Sequence, residues 1–299
     1  MMHGRVISVL VVVGFVAGLL ACKSPAEKQL DAGRRAFGRG LYQEAINHYG
    51  ELVLQTPESP EVAQALYEQG IIYYLKLRDL DTAYVNFRKV ITEHRRSPVA
   101  KDARLMLARM YQEDRGEHEK AIREYERVLE QTKEVADQKA ILLSLAHSYY
   151  ELDDMARAAE HYQRVMDLAD YPDDLGADAA FLRRALIEAL DGRREEALGM
   201  LEGLLDKTDE PDARHHAYVS AAEIRLLSEE YDQAMTVLAR ADREFPEDEK
   251  LFALADRVKR QEQDGRSLDD GTIESQVLLE ELQRNISWGR GRRPRAARR

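Results

Sequence analysis

Cysteine occurs once in 299 residues, at Cys22. A single thiol excludes an intrachain disulfide and a thiolate metal cluster. Glycine (17 residues) and proline (8) are sparse, and aromatics make up only 7% of the chain. With few β-branched runs and abundant Ala, Leu, Glu and Arg, the composition suits helices rather than sheets. The net charge of −11 argues against a body that binds nucleic acid, because phosphates would be repelled over most of its surface. Also missing are G-x-S-x-G, H-E-x-x-H and G-x-x-x-x-G-K-[ST]. No catalytic residue, no metal site and no cofactor are therefore expected. His215 and His216 are adjacent, and helical neighbours point about 100° apart, so they are read as solvated residues at a helix start rather than ligands.

What is present begins at the first residues. Met1–Arg5 carries His3 and Arg5 and no acid, and Val6–Leu20 is a fifteen-residue run, apolar but for Ser8. As a helix that run covers about 22 Å, short of the ~30 Å hydrocarbon core. A positive start, a short apolar core and small residues at its end describe a secretory signal over 1–21. The ending Leu19-Leu20-Ala21-Cys22 resembles the bacterial lipobox. That resemblance implies acylation of Cys22, which becomes the mature N-terminus, and anchoring by several acyl chains. An ordinary cleaved signal or a short uncleaved anchor is the alternative. Lys23 after the cysteine, by resemblance to lipoprotein sorting in proteobacteria, places the protein on the periplasmic face of the outer membrane. Residues 22–25 form the expected lipidated linker.

Over 26–248 the chain repeats itself. Ala45, Ala83, Ala121, Ala158, Ala197 and Ala234 recur every 37–39 residues, as their numbering shows. Four residues beyond each stands Tyr49, Phe87, Tyr125, Tyr162, Leu201 or Leu238, and three further on Leu52, Val90, Val128, Val165, Leu204 or Ala241. That is one face of a helix, repeated six times. A small residue precedes each alanine by about twelve positions: Gly33, Gly70, Ala108, Ala146, Ala185 and Ala222. Antiparallel helices approach closely where one side is small and a large side chain opposite fills the gap. The fifth repeat departs, with Glu188 where the first four have Ala36, Tyr73, Tyr111 and Tyr149. Prolines at 57, 60, 98, 172 and 211 mark breaks between repeats. Asp153-Asp154 and Asp173-Asp174 fall at expected turns, where carboxylates cap helices.

This pattern resembles the tetratricopeptide repeat, with Gly40, Tyr42 and Pro57 in the first repeat, and Tyr231 and Pro246 in the last, matching family positions. The resemblance implies an all-α fold, a helical solenoid of about six helix pairs. A period above the usual 34 requires helices or connections longer by about a turn. In that family the concave face is lined mainly by the first helix of each pair. Laid on this sequence, it comprises Arg34, Phe37, Tyr67, Ile71, Tyr74, Arg109, Gln112, His147 and Tyr150. Tyrosine and arginine dominate binding hot spots, so this set is the expected partner-binding groove; packing between repeats is the competing role for each ring.

Past the repeats, 249–263 has helical spacing and is expected to be a C-terminal capping helix over the last repeat. After a break at 264–267, Ile273, Val277, Leu278, Leu282 and Ile286 mark a second amphipathic helix, so 249–286 is read as C-terminal helices. The tail 287–299 holds six arginines between 290 and 299 and no acid. Its available anions in the periplasm are lipopolysaccharide phosphates, anionic lipid or an acidic protein; a disordered tail without a partner is the alternative.

The stretches "PESPEVAQALYEQGIIYY" and "RRSPVAKDARLMLARMY" resemble the BamD lipoproteins of the β-barrel assembly machinery and the Tol–Pal-associated periplasmic repeat proteins. The chain departs from the five repeats usual there by a sixth, an extra helix and the basic tail. The resemblance implies an envelope scaffold that binds other envelope proteins or peptide segments, in barrel assembly on this reading. A pilotin-like secretin or pilus assembly factor, and an adaptor recruiting a peptidoglycan hydrolase or protease, are the alternatives.

Overall fold

The computed structural model describes residues 23–170 and 174–264. The signal segment, Cys22, the Tyr171-Pro172 break, the expected helix of 273–286 and the basic tail lie outside the described residues. By contacts the chain divides into two compact units, 1–131 and 132–299.

The first unit contains three helical hairpins. Helix α1 (Pro25–Gly38) opens on a capping box in which Ser24 Oγ accepts from the Glu27 amide and Glu27 accepts from the Ser24 amide. Helix α2 (Tyr42–Gln55) returns antiparallel to it. The second hairpin pairs α3 (Glu61–Ile72) with α4 (Leu80–Glu93), and the third α5 (Ala100–Arg109) with α6 (His118–Leu129). Both α3 and α5 run on into one wide π turn, Tyr73–Leu77 and Met110–Asp114. These turns help account for the period above 34, since a π turn accommodates extra residues without moving the hairpin's far end.

The second unit contains α7 (Val135–Glu151) with α8 (Met155–Asp167), α9 (Leu175–Leu190) with α10 (Arg194–Leu205), and α11 (Pro211–Leu227) with α12 (Tyr231–Glu244). Here the first helices themselves are long, at 16 or 17 residues, which takes up the excess period. Helix α13 (Glu249–Asp264) lies against α11 and α12 and closes the stack with Leu251, Leu254 and Val258. Asp154 and Asp174 cap α8 and α9, each accepting from an amide three residues on.

The repeating code is the core. All eighteen second-helix positions named above, from Ala45 to Ala241, are at most 3% exposed. The two glycines show why small residues face large ones. A Cβ on Gly33 would lie 2.2 Å from Cε1 of Tyr49, and one on Gly70 would lie 2.6 Å from Cε1 of Phe87. Only hydrogen fits there.

Each hairpin also turns through one left-handed residue: Gly40, Arg78, Gly116, Asp153, Gly192 and Glu229. Each stands five residues before its repeat's alanine. Three of the six are not glycine, and they carry the conformational cost of positive φ (56°, 60° and 61°).

Glu188 is buried rather than a lapse in the pattern. Its carboxylate takes hydrogen bonds from Arg184 and Arg193. Burial pushes its pKa up, but those two guanidinium groups outweigh it and hold the group below the usual glutamate range.

Candidate protein-binding face

Within each unit, first helices of successive hairpins touch directly: α1 on α3, α7 on α9, and α9 on α11. Their open side is the face on which the expected groove residues were placed. Seven of the nine belong to the first unit and two to the second.

In the first unit, Arg34 on α1 reaches across to α3, donating to Glu68 Oε1 from Nε at 2.8 Å and from Nη2 at 2.6 Å. Glu68 also accepts from Gln64 Nε2 at 2.7 Å and from the Tyr49 hydroxyl at 2.6 Å. It joins three helices and had no place in the sequence reading. Its signal was available, because Arg34 and Glu68 are 34 residues apart, close to one repeat. Arg78 with Asp114 (3.2 Å) and Lys139 with Asp174 follow the same rule. Burial, then the Glu68 bond, drives the Tyr49 phenol far above its normal pKa, so it donates at any physiological pH.

Tyr67 is half-buried, with its ring 5.9 Å from that of Phe87. Burial raises its pKa first, and the field of Asp102 adds to this while that of Arg109 opposes it, which puts α3 and α5 groups around one ring. Ile71 is half-buried, and Arg109 is exposed without a hydrogen bond or ion pair to any described residue. Gln112 accepts from the Tyr125 hydroxyl at 3.0 Å. Phe37 is 36% exposed at the end of α1, against Tyr42 at 5.9 Å.

Tyr74 requires a correction. It is 5% exposed, burial and then the neighbouring Asp114 carboxylate raise its phenol pKa, and the Arg78 guanidinium lies 5.6 Å over its ring. The π turn at the end of α3 rotates the residue into the packing, where it supports rather than lines the face. In the second unit, His147 lies 3.6 Å from Glu151, and Tyr150 packs against that unit's core. His215 also departs from expectation. It is partly buried inside α11, 3.2 Å from Asp248 and edge-on to Phe245 at 5.3 Å, not solvated at a helix start.

Among the described residues no group of three or more His, Cys, Asp or Glu side chains could hold a metal ion. No described helix is long and apolar enough to cross a membrane.

These observations define an all-α protein built from tetratricopeptide-type hairpins. The tetratricopeptide repeat family model matches residues 30–84 and 110–174. Solved structures of similar fold include a tetratricopeptide repeat protein from Parabacteroides merdae, 16% identical with a TM-score of 0.53, covering 86% of this chain and 98% of that one. Another is YrrB, described as a repeat protein with an unusual peptide-binding site, 16% identical with a TM-score of 0.51 over 71% of this chain and 97% of that one. A third is PilW, a widely conserved type IV pilus biogenesis factor, 14% identical with a TM-score of 0.50 over 78% and 99%. At these identities the likeness establishes the fold. No curated protein matches the sequence.

Proposed function

We propose that the chain is a lipid-anchored envelope scaffold on the periplasmic face of the outer membrane, which holds peptide segments of other envelope proteins on its first-helix face. The observation that carries this is the pairing of Arg109 with Tyr67 on the first unit. An exposed guanidinium with no hydrogen bond or ion pair among the described residues stands beside a half-buried ring, while the glutamate Glu68 already accepts from Arg34, Gln64 and Tyr49. Such a face offers one unspent cation and apolar shelter, the makings of a hot spot.

Two client pathways compete. The sequence resemblance favours barrel assembly; the likeness to PilW supports a secretin or pilus assembly role. Crosslinking in the intact envelope followed by pull-down separates them by which proteins are recovered, and recovery of a peptidoglycan hydrolase or protease would point to the adaptor role. Arg109→Glu with Ile71→Glu is expected to abolish capture while leaving helical content unchanged. Undiminished capture by that variant refutes the face. Separately, Cys22→Ala is expected to accumulate unprocessed precursor, and normal maturation with continued membrane attachment refutes the anchor.

A further inference from the structure

Antiparallel hairpins sort their connections by end. Helix α1 leaves the edge at Ser24 and runs about 21 Å to the turn at Gly40. Helix α2 returns, so the connection 56–60 lies at the edge where the chain enters. The connection 94–99, between α4 and α5, lies there by the same alternation. Cys22 is three residues from Pro25, a reach of about 10 Å even when fully extended.

This edge carries an uncompensated cationic segment in an acidic chain. Between residues 89 and 101 stand Lys89, Arg95, Arg96 and Lys101, against the single acid Glu93. None of the four cations makes an ion pair with a described residue, and both arginines are exposed. Elsewhere in the unit Arg34, Arg78, Arg104, Arg115, Lys120 and Arg127 have carboxylate partners, while others such as Arg39 and Arg109 make no ion pair with a described residue; what sets 89–101 apart is four such cations within thirteen residues. Leu54, in the last turn of α2 at the same edge, is 82% exposed.

We propose that this edge is a membrane-contact surface, in which Arg95, Arg96 and the flanking lysines bind the phosphates of anionic phospholipid headgroups and Leu54 enters the interface. A tether of about 10 Å keeps the edge within reach of the surface potential, which decays over about 8 Å. The inference rests on the lipid anchor at Cys22. Lipid is favoured over an acidic protein because the unpaired cations lie on the edge from which the tether emerges. Docking there turns the first-helix face sideways to the membrane and leaves it open to clients.

The test uses the full chain reconstituted into phosphatidylcholine vesicles with or without phosphatidylglycerol, read by hydrogen exchange over residues 91–98. Anionic vesicles are expected to slow exchange there, and neutral vesicles are not. At about fivefold per cation, Arg95→Glu with Arg96→Glu lowers the docked-to-free ratio at least 25-fold and erases the protection. Equal exchange on both vesicles, or protection that survives the double reversal, overturns the proposal. So does protection that appears only when an acidic envelope protein is added. To separate this from failure of the anchor, Cys22, the only thiol, is coupled to a maleimide lipid. Protection on those vesicles supports the edge even if the mature protein proves unacylated.

Discussion

Gly33→Ala tests the packing code most directly. In an open helix the change is favourable by about 0.5–1 kcal/mol, because glycine loses the most backbone freedom on folding. At this site the new methyl would stand 2.2 Å from Cε1, 2.6 Å from Cδ1 and 2.7 Å from Cζ of Tyr49. Carbon atoms rest at about 3.5–4.0 Å, so the ring must withdraw by more than 1 Å. Tyr49 is fully buried, and its hydroxyl bonds Glu68, which in turn holds Arg34, so the ring cannot move without disturbing that chain. Overpacking costs about 1–3 kcal/mol and a weakened bond to a charged group adds about 1.5–3. Repeats three and four pair Ala108 with Tyr125 and Ala146 with Tyr162, so a hairpin can open enough for a methyl, which limits the penalty. The expected net loss is about 2 kcal/mol. Gly199→Ala is the control. It lies on α10 with nothing within 4 Å of the would-be Cβ, and should gain about 0.5–1 kcal/mol. Native-state hydrogen exchange reads both locally: Gly33→Ala should speed exchange of α1 and α2 about 30-fold, and Gly199→Ala should slow that of α10. If Gly33→Ala slows exchange as Gly199→Ala does, close approach at the ring is not what selects glycine. Tyr49→Leu added to Gly33→Ala should recover part of the loss, as in the natural Ala185–Leu201 pairing.

Three further outcomes follow from buried charge and turn geometry. Burial, aided by Asp174 and Glu210 and opposed by the Thr208 hydrogen bond, pushes Asp178 up to about 6, above its unfolded value of 3.8. The folded state thus holds its proton more tightly and loses stability as pH rises from about 4 to 6. Asp178→Asn should therefore stabilise the second unit by about 1–2 kcal/mol at pH 7 and by little at pH 4, in urea melts. Glu244 has the opposite sign. Hydrogen bonds from Arg214 and Tyr218 hold it down to about 2, so its contribution is present above about 4.5 and lost as pH falls toward 2. Glu244→Gln should destabilise at neutral pH, and the gap from wild type should close in acid. Glu229→Gly, at φ 61°, should stabilise the α11–α12 hairpin by about 1 kcal/mol, checked by thermal melting.

The fold was legible because its core is written at a fixed interval. Ala45 and its five counterparts, with the large residue four positions on, locate every second helix without reference to structure. Gly40 announced its turn, but Arg78, Asp153 and Glu229 do the same work without the residue type that signals it. The binding face was less legible. Whether Tyr74 points outward depends on a π turn, and a π turn is a local hydrogen-bond shift that a 3.6-residue pattern does not encode. Glu188 looked like a fault because its counter-charges, Arg184 and Arg193, sit four and five positions away, where a repeat comparison does not look. Glu68 was invisible for a related reason: ion pairs that span a whole repeat show only when the period itself is used to search for them.

The left-handed residue keeps a constant five-residue distance to its alanine, yet successive repeats differ by one or two residues. The length variation then falls between one alanine and the next left-handed residue: in the end of the second helix, in the connection after it, or in the next first helix, where Gly70 and Ala108 stand thirteen residues before their alanines and the other four small residues twelve. In repeats two and three the extra residue lies in the π turns Tyr73–Leu77 and Met110–Asp114, just before the hairpin turn, so the end of the first helix absorbs it while the left-handed residue and the alanine keep their spacing. A residue can therefore be added to a first helix without rotating the second helix's apolar face, because the chain re-enters that helix at the same five-residue distance from its turn.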